Sequence, residues 1–151
     1  MKQNLTFAVI LLAMLFMINA IPLHKRKTEF LKCSDLFPAP LDVTAMTPDP
    51  IQAGKPVTFT ISGNFTEHPI TSDYHQDITF SQGFPYAAEF SQDICSDSSS
   101  RNIPKCPVTD YNKKMIIQAP ADLPDNYTIT VYVWNENDGS DWLGCTQASV
   151  G

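Results

Sequence analysis

The sequence predicts an all-β domain, arranged as an antiparallel sandwich or barrel of about six to eight short strands. Segments in which apolar and polar residues alternate are separated by turn residues roughly every ten positions. Twelve prolines fall at intervals along the chain. No stretch of about eleven residues or more has the apolar spacing of an amphipathic helix. These observations favour strands over helices throughout the chain.

Two segments alternate over their whole length and are the clearest strand candidates. In VTFTIS, one face carries Val57, Phe59 and Ile61. In YTITVYVW, one face carries Tyr127, Ile129, Val131 and Val133, and the other carries Thr128, Thr130, Tyr132 and Trp134. The remaining candidates are LDVTAM at 41–46, DITFS with Ile78 and Phe80, YAAEF ending at Phe90, KMIIQA at 114–119, and a last strand holding Leu143, Cys145, Ala148 and Val150.

Turn residues separate these strands. TPDP at 47–50, followed by Gly54, predicts the reversal between the first two strands. In NENDGSD, the pair Asp138-Gly139 predicts a tight hairpin turn. The same segment resembles a calcium loop, but the first ligand position would fall on Trp134, which cannot bind calcium. We therefore expect a hairpin without a metal ion.

The first residues are expected to be a targeting segment. Lys2 precedes an apolar run at 7–18, and Ala20 follows as a cleavage position. The run is shorter than the roughly 18 residues that a membrane-spanning helix needs, so residues 1–20 are predicted to be a signal peptide. Residues 21–32 are then a propeptide or N-terminal tail, in which Lys25-Arg26-Lys27 is a protease site or a basic surface patch. The domain itself is predicted to span 33–151.

The charge of the chain disfavours nucleic acid as a partner. The formal net charge is −6, and removing residues 1–26 would change it to −9, since three of the ten Lys and Arg lie there and none of the sixteen Asp and Glu. An acidic surface repels phosphate backbones. It also lacks a polybasic patch for anionic membranes, so any membrane contact is expected to be transient.

Four cysteines in a chain addressed to an oxidising compartment favour two disulfides over metal ligands or a catalytic thiol. Three pairings are open. The pairing of Cys95 with Cys106 and of Cys33 with Cys145 is favoured, because it closes one short loop and ties together the two ends of the domain.

Catalytic motifs are absent from the sequence, so we expect no enzyme, no cofactor and no metal site. There is no HExxH pair, no GxSxG elbow and no glycine-rich phosphate loop. His68 and His75 are predicted to be solvated residues of a polar loop, and the acidic residues to solubilise the surface. Two sequons, at Asn64 and Asn126, predict N-glycosylation on strand ends that face solvent.

Several separated stretches follow one another in a recognisable order: TPDPIQAGKPVTFTISG, EFSQDIC, IPKCPV, LPDNYTITVYVWNENDG and WLGC. Together they span nearly all of 33–151 and resemble the secreted ML-domain lipid-binding proteins, especially the fungal phosphatidylglycerol/phosphatidylinositol transfer proteins. The resemblance implies an immunoglobulin-like sandwich of two antiparallel sheets with an apolar cavity between them. It further implies secretion, disulfides at the matching cysteines, and binding and transfer of phospholipids or sterols, as in the related Niemann-Pick type C sterol carrier, without catalysis.

The resemblance also turns the inward-facing residues into candidates for lining a lipid slot. These are Val57, Phe59, Ile61, Ile78, Phe80, Ile117, Ile129, Val131 and Val133. Aromatic residues at the rim, Phe84, Tyr86 or Phe90, are candidates for membrane contact, and Tyr86 and Phe90 are counted with the lipid-binding set. Ordinary core packing is the alternative for each of them, because alternation cannot distinguish meshed sheets from parted ones.

The leading hypothesis is therefore a monomeric lipid carrier, secreted or delivered to the lumen of the vacuole or lysosome, whose partners are a phospholipid or sterol and, briefly, a membrane. A second hypothesis is a secreted lipid-recognition or effector module that docks onto a receptor or host component. A third, a small secreted hydrolase, is disfavoured by the lack of a nucleophile motif.

Overall fold

A computed structural model describes residues 27–83, 86–96 and 103–151, and of Tyr86 and Ala87 it describes the backbone alone. The described chain forms eight strands: β1 (Leu31–Lys32), β2 (Leu41–Thr47), β3 (Pro56–Asn64), β4 (Tyr74–Ser81), β5 (Tyr86–Asp93), β6 (Asp110–Gln118), β7 (Tyr127–Asn135) and β8 (Trp142–Val150). In these ranges no helix is long and apolar enough to cross a membrane. The predicted strands are thus all present, several of them longer than the sequence pattern suggested.

The strands form two sheets, one of five strands in the order β1-β8-β7-β4-β5 and one of three strands in the order β2-β3-β6. Every neighbouring pair within each sheet is antiparallel. Their apolar faces meet in one buried cluster, so the molecule is a β-sandwich. The predicted fold class, a sandwich of two antiparallel sheets, is confirmed.

The central strands show why alternation specifies this arrangement. On β3 every second residue, Val57, Phe59 and Ile61, is fully buried, while the residues between them are partly exposed. On β7, Ile129, Val131 and Val133 are fully buried in the same way. Since side chains alternate between the faces of a strand, each sheet turns one continuous apolar face to the other.

The connection between β2 and β3 contains the predicted turn. Gly54 has a φ of 67°, in the left-handed region that favours glycine. Its N–H donates to the Pro120 carbonyl at 3.0 Å, so this turn is joined to the loop between β6 and β7.

The predicted hairpin between β7 and β8 is present and Asp138-Gly139 lies in its turn, but the connection is longer than a two-residue turn. The connection spans residues 136–141, and its turn is closed by the Asp141 N–H, which donates to the Asp138 carbonyl at 2.9 Å. The Asp138 carboxylate accepts from the Ser140 N–H at 3.1 Å and from its hydroxyl at 2.6 Å. These side-chain bonds stabilise a longer loop, and they lower the pKa of Asp138.

The N-terminal segment is integrated into the sandwich before the first cysteine. Thr28 donates to the Asp49 carboxylate through its N–H at 3.0 Å and its hydroxyl at 2.7 Å. Phe30 packs against the core, and β1 pairs with β8. Part of the segment predicted as a propeptide or tail, 21–32, therefore belongs to the fold, whereas residues 1–26, with the predicted signal peptide, lie outside the described residues.

Two disulfides are present, Cys33–Cys145 and Cys95–Cys106. The favoured pairing is thus confirmed. The first joins the segment after β1 to β8. The second joins the segment after β5 to the segment before β6, and it therefore links the outer strands of the two sheets.

Candidate functional site

The two sheets bury one apolar layer between them, called here the inner layer. It brings together the predicted lining residues Val57, Phe59, Ile61, Ile78, Phe80, Ile129, Val131 and Val133, all fully buried, with Ile117 at 6% exposure. These side chains belong to one contiguous cluster. That they share a buried face is therefore established, and that they contact a ligand stays a prediction.

The inner layer reaches one edge of the sandwich between β5 and β6. Each is the outermost strand of its sheet, and the two belong to different sheets. On β5, the half-buried Phe90 packs edge-on against Phe80, with ring centroids 6.1 Å apart. Phe84 and the Tyr86 side chain lie outside the described residues, so their predicted rim positions stay predictions.

At the disulfide end of this edge, four polar side chains stand on the inward-facing positions of their strands. We call them the inner polar cluster: Gln76 on β4, Gln92 on β5, and Tyr111 and Lys113 on β6. Gln76 is fully buried and pairs across the sheet with both Gln92 and Val133, so all three lie on the inner face. Amphipathic groups therefore interrupt an otherwise apolar layer at one end.

Hydrogen bonds satisfy this cluster only in part. The Tyr111 hydroxyl donates to Gln76 Oε1, and Gln76 Nε2 donates to the Met115 sulfur at 3.3 Å, a weak acceptor. Gln92 Nε2 is buried and makes no hydrogen bond of good geometry in the described part of the chain, although its side chain interacts with the Tyr111 hydroxyl. A buried donor without a hydrogen bond lowers stability by about 1–3 kcal/mol. An apolar side chain at this position would avoid that cost, so the polar group is not explained by packing.

Burial changes the protonation behaviour of the two ionisable members. It raises the pKa of the Tyr111 hydroxyl above its ordinary value, an effect that the nearby Gln92 amide opposes, so Tyr111 remains a neutral donor. Burial lowers the pKa of Lys113, and the Asp93 carboxylate opposes this change. The Lys113 ammonium donates to the Asp93 carbonyl at 3.3 Å, across the gap between the two sheets.

A surface pocket of about 470 Å³, called here the edge pocket, adjoins the inner polar cluster at the start of β6. It is lined by Tyr111 and Lys113 together with Pro104, Pro107, Val108, Thr109, Asp110 and Asn112. Tyr111 and Lys113 belong to both, and of the two Lys113 is the partly exposed one, so the cluster meets solvent at this lysine.

Lys113 is not among the residues that the sequence predicts for the site, because the predicted strand begins one residue after it. In the structure β6 begins at Asp110, and its inward positions are Tyr111, Lys113, Met115 and Ile117. The signal was present in the period-two spacing of these four residues: a lysine stands where the pattern calls for an apolar side chain.

The outer face of the five-stranded sheet carries a second polar and aromatic group. Trp134 Nε1 donates to Asp77 Oδ2 at 2.6 Å, and the Tyr132 hydroxyl donates to Glu89 at 2.9 Å. The Tyr132 and Trp142 rings stack with centroids 4.7 Å apart. Asp77 is only 1% exposed, and it pairs across the sheet with Tyr132. These contacts cover the outer face of β4 and β7.

The prediction for His75 as a solvated loop residue is wrong. His75 lies on β4, which begins earlier than expected because its partner β7 extends to Asn135. Its side chain is 19% exposed, with Nδ1 3.1 Å from Asp93 and Nε2 2.9 Å from Glu136. His75 therefore links β5 to the β7–β8 loop, whereas His68 is exposed in the loop before β4, as predicted.

Asp77→Asn is expected to change the pH dependence of stability. Burial, the largest cause, raises the pKa of Asp77, so the folded state binds more protons than the unfolded state above the ordinary value of 3.8. Asp77 therefore lowers stability as pH rises through the window from 3.8 to its raised pKa. Urea unfolding at pH 4 and pH 7 should show that the substitution favours folding more at pH 7.

The control for this substitution is Asp42→Asn, which changes an exposed carboxylate on β2. It should alter stability by similar small amounts at both pH values. If Asp77→Asn changes the free energy of unfolding by the same amount at pH 4 and pH 7, the account of this buried carboxylate is contradicted.

No group of three or more His, Cys, Asp or Glu side chains in the described residues is arranged to hold a metal ion. The residues of the inner polar cluster include no nucleophile paired with a base. The inner layer is thus a long apolar layer with donor groups at one end.

Comparison with known proteins identifies the family. The model of the ML domain, E1_DerP2_DerF2, matches residues 27–151. The chain belongs to the ML-domain family. Proteins with this domain bind lipids and are not enzymes, so this ML protein is a lipid-binding protein without catalytic activity. The expectation of no enzymatic activity is thereby confirmed.

Chains of known structure also match this protein. Thirteen chains match. One is chicken MD-1 complexed with lipid IVa, which is 13% identical over 81% of this chain and 87% of that chain, with a TM-score of 0.42. A search of curated protein sequences gave no match.

Proposed function

We propose that this ML protein is a secreted lipid carrier that takes up a phospholipid, such as phosphatidylglycerol or phosphatidylinositol, or a sterol between its sheets and transfers it between membranes. The observation that carries the proposal is the continuous apolar inner layer of a chain belonging to a lipid-binding family. That layer runs to an edge where β5 and β6 share no hydrogen-bonded ladder.

The apolar layer suits reversible binding of a lipid chain. Each methylene removed from water contributes roughly 0.8 kcal/mol, so a dozen contribute on the order of 10 kcal/mol before ordering costs are subtracted. Nothing covalent is required, and release needs only a membrane that offers the chain an equally apolar environment. This chemistry suits a protein that carries a lipid without changing it.

The edge between β5 and β6 is the proposed entry route. Parting the sheets there breaks side-chain packing between them without breaking strand ladders, because β5 and β6 belong to different sheets. The Cys95–Cys106 disulfide restrains one end of the edge, so the opening is expected at the other end, near Ala88 and Ile117. Phe90 on β5, together with Phe84 and Tyr86 as the sequence predicts, would make the brief membrane contact.

The proposed route to this function is the secretory pathway, with a signal peptide at 1–20 and a destination outside the cell or in the lumen of the vacuole or lysosome. Two disulfides suit an oxidising compartment. Asn64 and Asn126 are both exposed, as glycan attachment requires. A loss of apparent mass on enzymatic removal of N-glycans from the secreted protein would support this route, and an unchanged mass would count against glycosylation.

A transfer assay tests the function. Donor vesicles carrying a fluorescent phospholipid or sterol are mixed with unlabelled acceptor vesicles, with and without the purified protein. We expect the protein to increase the transfer rate in proportion to its concentration and to form a soluble complex with the lipid. A protein that takes up neither probe from the vesicles would overturn the proposal.

A further inference from the structure

Lys113, the cation of the inner polar cluster, lies on the face of β6 whose other side chains are buried. Lys113 stands between Tyr111 and Met115 on the inward positions of β6, and both neighbours are buried. Its backbone pairs with that of Ile61, a fully buried residue of β3. A lysine at such a position loses hydration, which is unfavourable unless the ammonium gains a partner. The contact it makes, with the Asp93 carbonyl at 3.3 Å, leaves further donor capacity on the same nitrogen.

Two other hydrogen-bond donors of the cluster, the side-chain amides of Gln92 and Gln76, also lack strong acceptors. Gln92 Nε2 is buried without a hydrogen bond of good geometry, although its side chain interacts with the Tyr111 hydroxyl, and Gln76 Nε2 donates to the sulfur of Met115, a weak acceptor. The acceptor Gln76 Oε1 is already engaged by the Tyr111 hydroxyl. A cluster with free donors and one positive charge complements an acceptor group that carries negative charge.

We propose that Lys113 and Gln92 form a head-group site that holds an anionic oxygen of the lipid, a carboxylate or a phosphate, at the disulfide end of the apolar layer. This inference rests on the proposed function and specifies which lipids the site prefers. The acyl chain then extends from the cluster along the inner layer toward Phe90 and Ile117. The edge pocket gives the polar group access to water beside the same lysine.

Two acidic groups lie near the proposed site and set its selectivity. The Asp93 carboxylate is engaged by His75 Nδ1 at 3.1 Å, and it remains 58% exposed. Asp110 lines the outer part of the edge pocket. Both repel an anion in solution, so a free anion without an acyl chain should bind poorly. Burial of the chain must supply the affinity, and Lys113 and Gln92 the choice between head groups.

Lys113→Met is the decisive variant, because it keeps a long unbranched side chain and removes the charge. Its matched control is Lys114→Met, which changes the exposed lysine on the opposite face of β6. The probes are fluorescent oleate, fluorescent phosphatidylglycerol and a neutral fluorescent sterol, titrated against the full secreted protein. We expect Lys113→Met to weaken binding of the preferred anionic probe at least about tenfold, the effect of losing one charge-assisted hydrogen bond. Binding of the sterol should change less than about twofold, and Lys114→Met should leave all three probes unaffected.

Two further variants test the same site if Lys113→Met disturbs folding. Lys113→Arg retains the charge and should bind the anionic probe much as the parent does, whereas Gln92→Met should weaken that probe in the same direction as Lys113→Met. A preference of the parent for oleate assigns a carboxylate to the site, and a preference for phosphatidylglycerol assigns a phosphate. Equal losses for anionic and neutral probes, or stronger binding of the sterol than of either anionic probe by the parent, would overturn the head-group site. Failure of the parent to bind any probe would instead overturn the proposed function.

Discussion

Ile117→Glu is expected to abolish lipid uptake, whereas Ile116→Glu leaves it intact. The two residues are identical in type and adjacent on β6, but Ile117 faces the inner layer at 6% exposure and Ile116 faces solvent at 72% exposure. A carboxylate at position 117 removes an apolar contact worth about 1.5–3 kcal/mol and would itself be desolvated by the bound chain. Titration with a fluorescent phospholipid should show a loss of at least about thirtyfold in apparent affinity for the Ile117 variant.

The position of Ile117 on an outer strand makes this comparison informative. An introduced carboxylate at the sheet edge is closer to water than one on β3 or β7, so the protein should still be secreted with both disulfides formed. Circular dichroism of both variants checks that the sheets are retained. A folded Ile117→Glu protein that binds the probe as well as Ile116→Glu would show that the lipid does not lie against this face.

Removing the Cys33–Cys145 disulfide is expected to lower the free energy of unfolding by about 4–5 kcal/mol in the chain-entropy account. The two cysteines are 112 residues apart, so the bond restricts nearly the whole unfolded chain. Urea unfolding of the Cys33→Ala/Cys145→Ala protein measures the loss. A loss of this size is a large part of the 5–15 kcal/mol that stabilises a typical domain, so secretion should fall as well.

The second disulfide supplies the control for this prediction. Cys95 and Cys106 are only 11 residues apart, and Cys95→Ala/Cys106→Ala should cost about 3 kcal/mol by the same account. If the short-range pair proves the more important for stability, then the link between β5 and β6, rather than the restriction of the unfolded chain, dominates.

Much of this fold follows from a period of two in the sequence. Val57, Phe59 and Ile61 alternate with hydroxyl-bearing residues, and a strand has only two faces, so the pattern alone assigns the three side chains to one of them. The same holds for Ile129, Val131 and Val133. The pattern cannot assign the strands to sheets, because that depends on which edges meet.

The functional end of the inner layer could not be predicted in the same way. Gln76, Gln92 and Lys113 are polar residues at inward positions, so they interrupt the alternation and shorten the strands that the pattern predicts. Their proximity depends on β5 and β6 coming to the same edge of two different sheets. His75 was misplaced for a related reason, since the polar start of β4 is a strand only because β7 continues beside it.

The central claim, that the inner layer of this ML protein opens to hold a lipid, is tested most directly by native mass spectrometry of the protein as secreted by eukaryotic cells. The account predicts a population heavier than the polypeptide and its glycans by the mass of one lipid, which organic extraction removes and which the lipid fraction of the extract identifies. A protein that carries no lipid on secretion, and stays at its unliganded mass after incubation with phospholipid and sterol vesicles, would contradict it.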